Sequence, residues 1–241
     1  IIPRTINNKP VKALNKTFQG NENITSVVLP ADLEIIGSGA FMKTSITELL
    51  IPESVEMISN HAFAYSPLTE ITIPNSVKEI SVSAFANCEF LESVSLPQSL
   101  ERLGVSAFMN CTSLTDIEIP SGITSISMNA FGDCQSLSSI VLPNTLKKIS
   151  AGAFFGCSSL EQLVIPIGVE KIEDFAFVLC ESMTEASIPT SVTEIADNSF
   201  NNTSVETISI TGPETDNITM IENWINDNLD DVTIVRCDDE C

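Results

Sequence analysis

Apolar residues recur along the chain with a period of 22 to 23 positions. Each copy has an alternating apolar run, a proline, two spaced apolar residues, an Ala-Phe pair and often a cysteine. One copy places these at Leu91, Val94, Leu96, Pro97, Leu100, Leu103, Ala107, Phe108 and Cys111. Leu114 then begins the next copy. We therefore treat the copy, not the residue, as the unit of structure.

The register of the copies is held over most of the chain. Eight prolines are separated by 22 or 23 residues, at Pro30, Pro52, Pro74, Pro97, Pro120, Pro143, Pro166 and Pro189. A phenylalanine follows each of them by eleven residues, at Phe41, Phe63, Phe85, Phe108, Phe131, Phe154, Phe177 and Phe200. A period of 20–29 residues with an L-x-x-L-x-L core predicts a leucine-rich repeat solenoid.

The alternating end of each apolar run predicts a short strand. In the copy above, Val94 and Leu96 point inward, whereas Ser93 and Ser95 face solvent. The strand ends at Pro97, because proline has no N–H for a sheet ladder. Stacked copies pair these strands in parallel, so we expect an α/β horseshoe-type solenoid, rich in β-structure, with the strands along its concave face.

The rest of the copy predicts the other sides of the coil. Leu100 and Leu103 indicate a short extended or turn segment on a second side. Ala107 is small where the backbone passes close, and Phe108 fills the far end of the core, so the array forms an aromatic spine. A single coil cannot bury its apolar side, so neighbouring coils must complete both its burial and its hydrogen bonds.

Five of the seven cysteines lie one period apart, at Cys88, Cys111, Cys134, Cys157 and Cys180. They mark the repeat and not a disulfide framework. Asn21 takes the equivalent place in the first copy, so we predict that cysteine or asparagine fills a buried pocket, the cysteine as a small apolar residue with a weak donor. We expect no zinc site, because a straight ladder of identical side chains cannot surround a metal tetrahedrally. Vertical disulfides stay open, although parallel side-chain vectors make them awkward.

The two ends differ from the repeats. Residues 1–23 predict a partial first coil acting as an N-terminal cap, and 24–211 carry the repeats. Residues 212–241 predict a C-terminal cap with a small helix, because apolar residues keep helical spacing at Ile218, Ile221, Ile225 and Leu229. A last strand follows at 232–235. We expect the whole of 1–241 to be a single leucine-rich repeat domain.

The C-terminal tail is acidic and carries the remaining cysteines, Cys237 and Cys241. A bridge between them would be local and optional.

The net charge is −21, from 32 acidic and 11 basic residues. Such a field repels phosphate backbones and anionic lipid headgroups, so it argues against nucleic acid or an acidic membrane as partner and favours basic proteins. The acidic surface also has a simpler interpretation, since it keeps stacked coils soluble. No stretch is long and apolar enough to predict membrane insertion. We expect a monomer.

The pattern L-x-x-I-x-I-P-x-x-V-x-x-I-x-x-x-A-F-x-x-C closely resembles the BspA-like leucine-rich repeats, from about Val11 to Ile210. The opening segment 2–11 resembles the entry segment of that family, with Asn8 where glycine is usual. The resemblance implies a secreted or cell-surface protein of anaerobic bacteria or parasitic protists. It also implies adhesion to host matrix proteins or to other cells, and it carries no catalytic residues.

The residues themselves predict no enzyme, no cofactor and no metal site. His61 is the one histidine and is expected at the surface. The chain contains neither a G-x-S-x-G elbow nor a P-loop nor a G-x-G-x-x-G sequence. Asp116 and Glu118 share a strand face, where without a cleft they are expected to be solvated rather than an acid–base pair.

The outward positions of the predicted strands form the candidate binding surface, since solenoids usually bind there. The residues assigned to partner binding are Glu48, Glu70, Thr72, Ser93, Ser95, Asp116, Glu118, Gln162 and Glu185. The acidic members concentrate in the N-terminal half and suit a basic segment of a partner.

Two functions fit the sequence. The first is an extracellular adhesion module that recognises a matrix or cell-surface protein through the concave strands. The second is a structural spacer whose repeats hold other domains of a larger surface protein away from the cell.

Overall fold

The computed structural model, which describes residues 1–237, is a β-solenoid of about ten stacked turns of about 23 residues. In chain order the elements are β1 (Thr5–Ile6), β2 (Lys9–Pro10), β3 (Ala13–Leu14), β4 (Ile35–Ile36), β5 (Met57–Ile58), β6 (Glu70–Thr72), β7 (Glu79–Ile80), β8 (Ser93–Ser95), β9 (Arg102–Leu103), β10 (Asp116–Glu118), β11 (Ser125–Ile126), β12 (Ser139–Val141), β13 (Lys148–Ile149), β14 (Gln162–Val164), β15 (Lys171–Ile172), β16 (Glu185–Pro189), β17 (Glu194–Ile195), β18 (Thr207–Thr211), α1 (Asn217–Asn228) and β19 (Thr233–Cys237).

The first side of the solenoid, here called the strand face, consists of the three- and five-residue strands β6, β8, β10, β12, β14, β16, β18 and β19. They pair in parallel and in register as three groups, β6 with β8, β10 with β12, and β14 through β16 and β18 to β19. In the first coils the equivalent stretches 26–28 and 48–50 form no strand. The predicted parallel strands are therefore present, but their ladder is interrupted.

The second side, here called the second face, carries two-residue strands. They pair in parallel as β3-β4-β5-β7-β9 and as β11-β13-β15-β17. Leu103, predicted in a short extended or turn segment, lies buried in β9. This side is thus a regular ladder of its own.

The third side, here called the turn face, comprises the three residues on each side of every repeat phenylalanine. In the coils from Phe18 to Phe177, the residues two before and two after the phenylalanine have φ between 49° and 72°. This left-handed backbone points alternate N–H groups at the next coil. The phenylalanine N–H groups donate to the carbonyl before the next phenylalanine at 2.7–2.9 Å, from Phe18 through Phe177. Peptide groups therefore form hydrogen-bonded columns that run in one direction along the turn face.

The phenylalanines form the predicted spine. The eight repeat phenylalanines that lie eleven residues after the prolines, from Phe41 to Phe200, are each at most 1% exposed. Successive ring centroids lie 4.9–5.7 Å apart from Phe18 to Phe200, and most pairs are nearly parallel. The stack ends on the edge of Trp224, at 5.6 Å from Phe200. The spine thus joins the repeats to the C-terminal helix.

The two ends contain elements that differ from the repeats. Strands β1 and β2 form an antiparallel hairpin whose turn residues, Asn7 and Asn8, have positive φ. Helix α1 buries Ile218, Ile221, Trp224 and Ile225 against the last coil. Strand β19 then pairs in parallel with β18. The division into 1–23, 24–211 and 212–241, the single-domain assignment and the horseshoe curvature stay predictions, and Cys241 lies outside the described residues.

We predict that Phe131→Ala, in the middle of the spine, lowers the free energy of unfolding by about 3–5 kcal/mol, because it removes a fully buried ring between two others. Urea unfolding followed by circular dichroism measures the loss. Phe131→Leu, which keeps most of the apolar volume, is expected to lose clearly less. A loss below about 1 kcal/mol for the alanine variant would contradict the stacked core.

A second prediction concerns Ser199, which replaces the alanine found before the other repeat phenylalanines and is fully buried. Its hydroxyl has no hydrogen-bond partner within residues 1–237. An unpaired buried hydroxyl destabilises the folded state. Ser199→Ala is therefore expected to raise the free energy of unfolding by about 1 kcal/mol, which a higher melting temperature would show. Ser99→Ala is the matched control, since that hydroxyl bonds to the carbonyls of Asn75 and Val77 and its loss should destabilise. Equal shifts in both variants would contradict this account.

Candidate functional site

All nine residues assigned to partner binding are exposed on the strand face. Glu48 lies in the first, strand-free part; the others lie in strands, as Glu70 and Thr72 in β6, Ser93 and Ser95 in β8, Asp116 and Glu118 in β10, Gln162 in β14 and Glu185 in β16. The structure brings them onto one surface, in register from coil to coil. Their role in binding stays a prediction.

The strand face is electrostatically unlike the second face. Among its described strands the only lysine or arginine is Arg236 in β19, at the C-terminal end, where it pairs with Glu214 and Glu222. Glu48, Glu70, Asp116 and Glu118 have no ion-pair partner among the described residues; Asp116 only accepts a hydrogen bond from Thr115 at 2.9 Å. No neighbouring cation among the described residues therefore offsets these carboxylates.

The scarce cations on and beside the second face are held by glutamates of adjacent coils. The pairs, with N–O distances of 2.8–3.7 Å, are Lys12–Glu34, Lys78–Glu101, Arg102–Glu79, Lys147–Glu170, Lys148–Glu173 and Lys171–Glu194. A hydrogen bond to Glu194 raises the pKa of Lys171, and one from Lys148 lowers the pKa of Glu173. The exposed pairs add little stability. Their consequence is that these cations do not offset the carboxylates of the strand face.

Apolar side chains are interspersed with the acids on the strand face. Leu50 is 89% exposed and Val28 61%. Leu50, Glu48 and Glu70 line an open groove of about 480 Å³ at the N-terminal end, and Val28 lies beside it. Val141 in β12 and Val164 in β14, at equivalent positions of two adjacent coils, are also exposed. The face thus combines acidic and apolar contacts, which a purely solubilising surface does not need.

The repeat cysteines are structural. Each is buried and its thiol donates to the carbonyl of the phenylalanine one coil earlier, as Cys111 does to Phe85 at 3.2 Å. Burial raises the pKa of the Cys88 thiol to about 11 and those of Cys134 and Cys180 to about 12. The predicted role of a small buried residue with a weak donor is confirmed for the cysteines.

The prediction for Asn21 is wrong. Its side chain is exposed and its Oδ1 accepts the N–H of Asn23. The reason is positional: a cysteine at this place reaches back to the phenylalanine of the previous coil, and no such coil precedes Phe18.

Sequence reasoning also missed the residues that replace cysteine in the shorter coils. Thr44 and Ser66 are buried, and their hydroxyls donate to the carbonyls of Phe41 and Phe63 in their own coils. Thr203 does the same with Phe200. A comparison of the third residue after each phenylalanine would have found them.

Other predictions concerned metal ligands, His61 and membrane insertion. Within residues 1–237, no group of three or more His, Cys, Asp or Glu side chains is placed to hold a metal ion. His61 is exposed on the turn face, where its backbone is left-handed. No helix among the described residues is long and apolar enough to cross a membrane.

A groove on the turn face was not predicted. It has a volume of about 500 Å³ and is lined largely by apolar residues, among them Met109, Met128, Phe155 and Phe175. The available signal was the apolar character of positions that are mostly small or polar in the other copies.

A family model described as BspA type leucine rich repeat region matches residues 12–127 and 102–232, with six copies. The chain belongs to the BspA-type leucine-rich repeat family. The predicted resemblance is therefore confirmed over nearly the whole chain. No curated protein matches this chain in sequence.

Solved structures of bacterial leucine-rich repeat proteins share the fold. A leucine-rich repeat protein from Bacteroides ovatus has a TM-score of 0.68 at 21% identity, over 98% of this chain and 82% of the other. A leucine rich cell surface protein from Faecalibacterium prausnitzii has a TM-score of 0.53 at 25% identity, over 90% and 65%. The T. pallidum leucine rich repeat protein has a TM-score of 0.53 at 25% identity, over 75% and 91%. The family and fold are those of repeat domains consistent with protein interaction, and they are typically non-enzymatic.

The buried thiols generate a pH prediction. Because burial raises their pKa above 9.0, the folded chain holds these protons more tightly than the unfolded chain. Their contribution to stability is present below about pH 9 and is lost as the pH rises toward the folded values. We expect the free energy of unfolding to fall from about pH 9 toward about pH 11, measured in urea, and the fall to be smaller in Cys134→Ala. An identical pH slope in both proteins would contradict the assignment.

Proposed function

We propose that this chain is a non-enzymatic, extracellular protein-binding module that attaches to a host-matrix or cell-surface protein through the strand face. The observation that carries the proposal is the charge on that face. Its carboxylates at Glu48, Glu70, Asp116 and Glu118 have no cation beside them among the described residues, while most lysines and arginines are paired elsewhere. A partner with a basic surface would neutralise them, and long-range attraction would speed its arrival.

The mixed chemistry of the strand face supports a protein rather than a small ligand. Leu50 and Val164 offer apolar contact beside Glu48 and Gln162, and protein interfaces combine an apolar centre with a polar rim. Strands in register present these side chains at a spacing of about 4.8 Å per coil. We further propose that the solenoid curves as a horseshoe with the strand face on its concave side, which would let a partner contact several coils at once.

The cellular setting of the proposal rests on family and neighbours. The protein from Faecalibacterium prausnitzii is described as a cell surface protein. We extend that setting to this chain, as a secreted or surface-exposed monomer that binds neither nucleic acid nor lipid. Its net charge of −21 supports both exclusions, because phosphate groups would be repelled.

A structural spacer is the second candidate. The columns of hydrogen bonds on the turn face and the continuous phenylalanine stack favour it, because they give a body whose coils support one another along its length. A spacer needs a stiff body and no particular surface chemistry. The two candidates therefore differ in whether the strand face is required.

The deciding experiment reverses charge on the strand face. The triple variant Glu70→Lys, Asp116→Lys, Glu118→Lys is compared with the original protein on immobilised extracellular-matrix and cell-surface proteins, by surface plasmon resonance. We expect binding to weaken by at least about tenfold, mainly through slower association, since steering by charge is lost. Binding of the original protein should also weaken with added salt.

The matched control reverses three exposed carboxylates away from the strand face, Glu53→Lys, Glu56→Lys and Glu181→Lys, with the same change in net charge. This control should retain binding. Equal loss in both variants would reduce the effect to net charge, and no loss in the strand-face variant would leave the spacer as the better account.

A further inference from the structure

The groove on the turn face lies where two glycines interrupt columns of side chains. Gly132 follows Phe131, and the equivalent residues of the two neighbouring coils are Met109 and Phe155. Gly152 precedes Phe154 by two residues, with Phe175 at the equivalent place in the next coil. Gly132 leaves open space between its larger neighbours, whereas the Asn129 side chain of the previous coil lies where a Cβ of Gly152 would be. Both glycines line the groove of about 500 Å³.

The floor of the groove offers few free hydrogen-bonding groups. The N–H of Asn129 donates to Ala151 and that of Gly152 donates to Asp174. The N–H of Asp133 donates to Phe155, and the carbonyl of Gly132 accepts from Asn110. Because the columns of the turn face already use these groups, the floor favours an apolar side chain over a sugar or another polar ligand.

The walls of the groove are large apolar side chains that stay half exposed, so they contribute little to the folded core. Met128 is 49% exposed and Phe175 50% exposed. Phe175 also has a φ of 60°, in a position that Gly, Asn, Ser, His or Lys occupies in the preceding coils. A bulky residue in left-handed backbone costs about 1–2 kcal/mol, and its ring gains only half-burial in return. Flexible methionines beside an aromatic ring are typical of surfaces that accept varied apolar side chains.

The charge around the groove is negative. Asp133 is its only charged lining residue, and exposed Asp174 precedes Phe175. Neither aspartate has an ion-pair partner among the described residues. The cations of the coils beside it, Lys148 and Lys171, are held by glutamates of the second face. A second copy of this chain would bring another strongly acidic surface, and an anionic membrane would be repelled.

We propose that this groove is a second protein-docking site, which takes a basic amphipathic segment of a partner. One or two large apolar side chains of the segment enter between Met128 and Phe175, and its lysines or arginines face Asp133 and Asp174. Such a segment lays its apolar side into a groove in the manner of a helix-in-groove complex. The site lies on the turn face and does not depend on the proposed role of the strand face.

The test uses a fluorescent synthetic peptide with leucines at helical spacing and lysines on its other side, measured by fluorescence anisotropy. The decisive variant is Gly132→Phe, which introduces the side chain that Phe155 provides at the equivalent position of the next coil. A Cβ on Gly132 meets no atom closer than 3.5 Å and the backbone is not left-handed, so the variant should fold. We expect it to weaken peptide binding by at least about tenfold without changing the net charge, as loss of a central anchor pocket does.

Three controls locate and define the interaction. Gly132→Ala, which fills little of the groove, should retain most of the binding, and the strand-face variant Glu70→Lys, Asp116→Lys, Glu118→Lys should retain peptide binding that Gly132→Phe loses. With methyl-labelled methionine, the peptide should shift the signals of Met109 and Met128 and leave buried Met183 unchanged. A peptide with glutamate in place of lysine, and one with serine in place of leucine, should bind much more weakly.

Four results would overturn the proposal: no binding of the lysine–leucine peptide, binding unaffected by Gly132→Phe, equal binding of the glutamate peptide, or methyl shifts outside the groove. Concentration-dependent self-association that Gly132→Phe abolishes would also overturn it, by assigning the groove to a second copy. Thermal melting of each variant, followed by circular dichroism, verifies that a loss of binding is not a loss of fold.

Discussion

The structure depends on contacts between neighbouring coils, because no coil can bury its own apolar side. Of the interactions across each junction, the most regular is the donation from one phenylalanine N–H to the carbonyl before the next phenylalanine. It fixes the distance at which the rings stack, as between Phe108 and Phe131 at 5.7 Å. Burial and backbone hydrogen bonding are thus satisfied by the same neighbour, which makes stability a sum over junctions.

This constraint also decides which surfaces are free for function. The second face uses its charges in pairs between coils, such as Lys171 with Glu194, so its chemistry is largely internal. On the strand face, the carboxylates of Glu48, Glu70, Asp116 and Glu118 have no such pairs within the described residues and face solvent. On the turn face the backbone is hydrogen-bonded along the columns, so the coils differ there mainly in their side chains. Gly132 opens an apolar groove on this face. Each face therefore offers a different kind of contact.

Much of the fold follows from the sequence because the repeat averages out local ambiguity. A single Phe108 could be buried in many ways, but eight in register have only a stacked solution. The same logic predicted the buried cysteines, and helical spacing of apolar residues predicted the C-terminal helix. It failed where an element has no neighbour, since Asn21 lies in the first coil and its side chain stays in solvent.

Other features depend on relations between coils that a single copy does not contain. The left-handed backbone of His61 or Phe175 is set by a carbonyl or side chain in the next coil and not by local preference. The interruptions of the strand-face ladder have no sequence signal that we recognise. The candidate binding residues could be placed on one face from alternation alone, but the absence of compensating cations there required the register of Lys12, Lys148 and their glutamates.

Amide hydrogen exchange of the native protein tests the central claim most directly. If the columns of the turn face hold the coils together, the N–H groups of Phe85, Phe108 and Phe131 should be among the slowest to exchange, and protection should fall gradually toward Phe18 and Phe177. Rapid exchange of these central amides, at rates typical of exposed turns, would contradict the account.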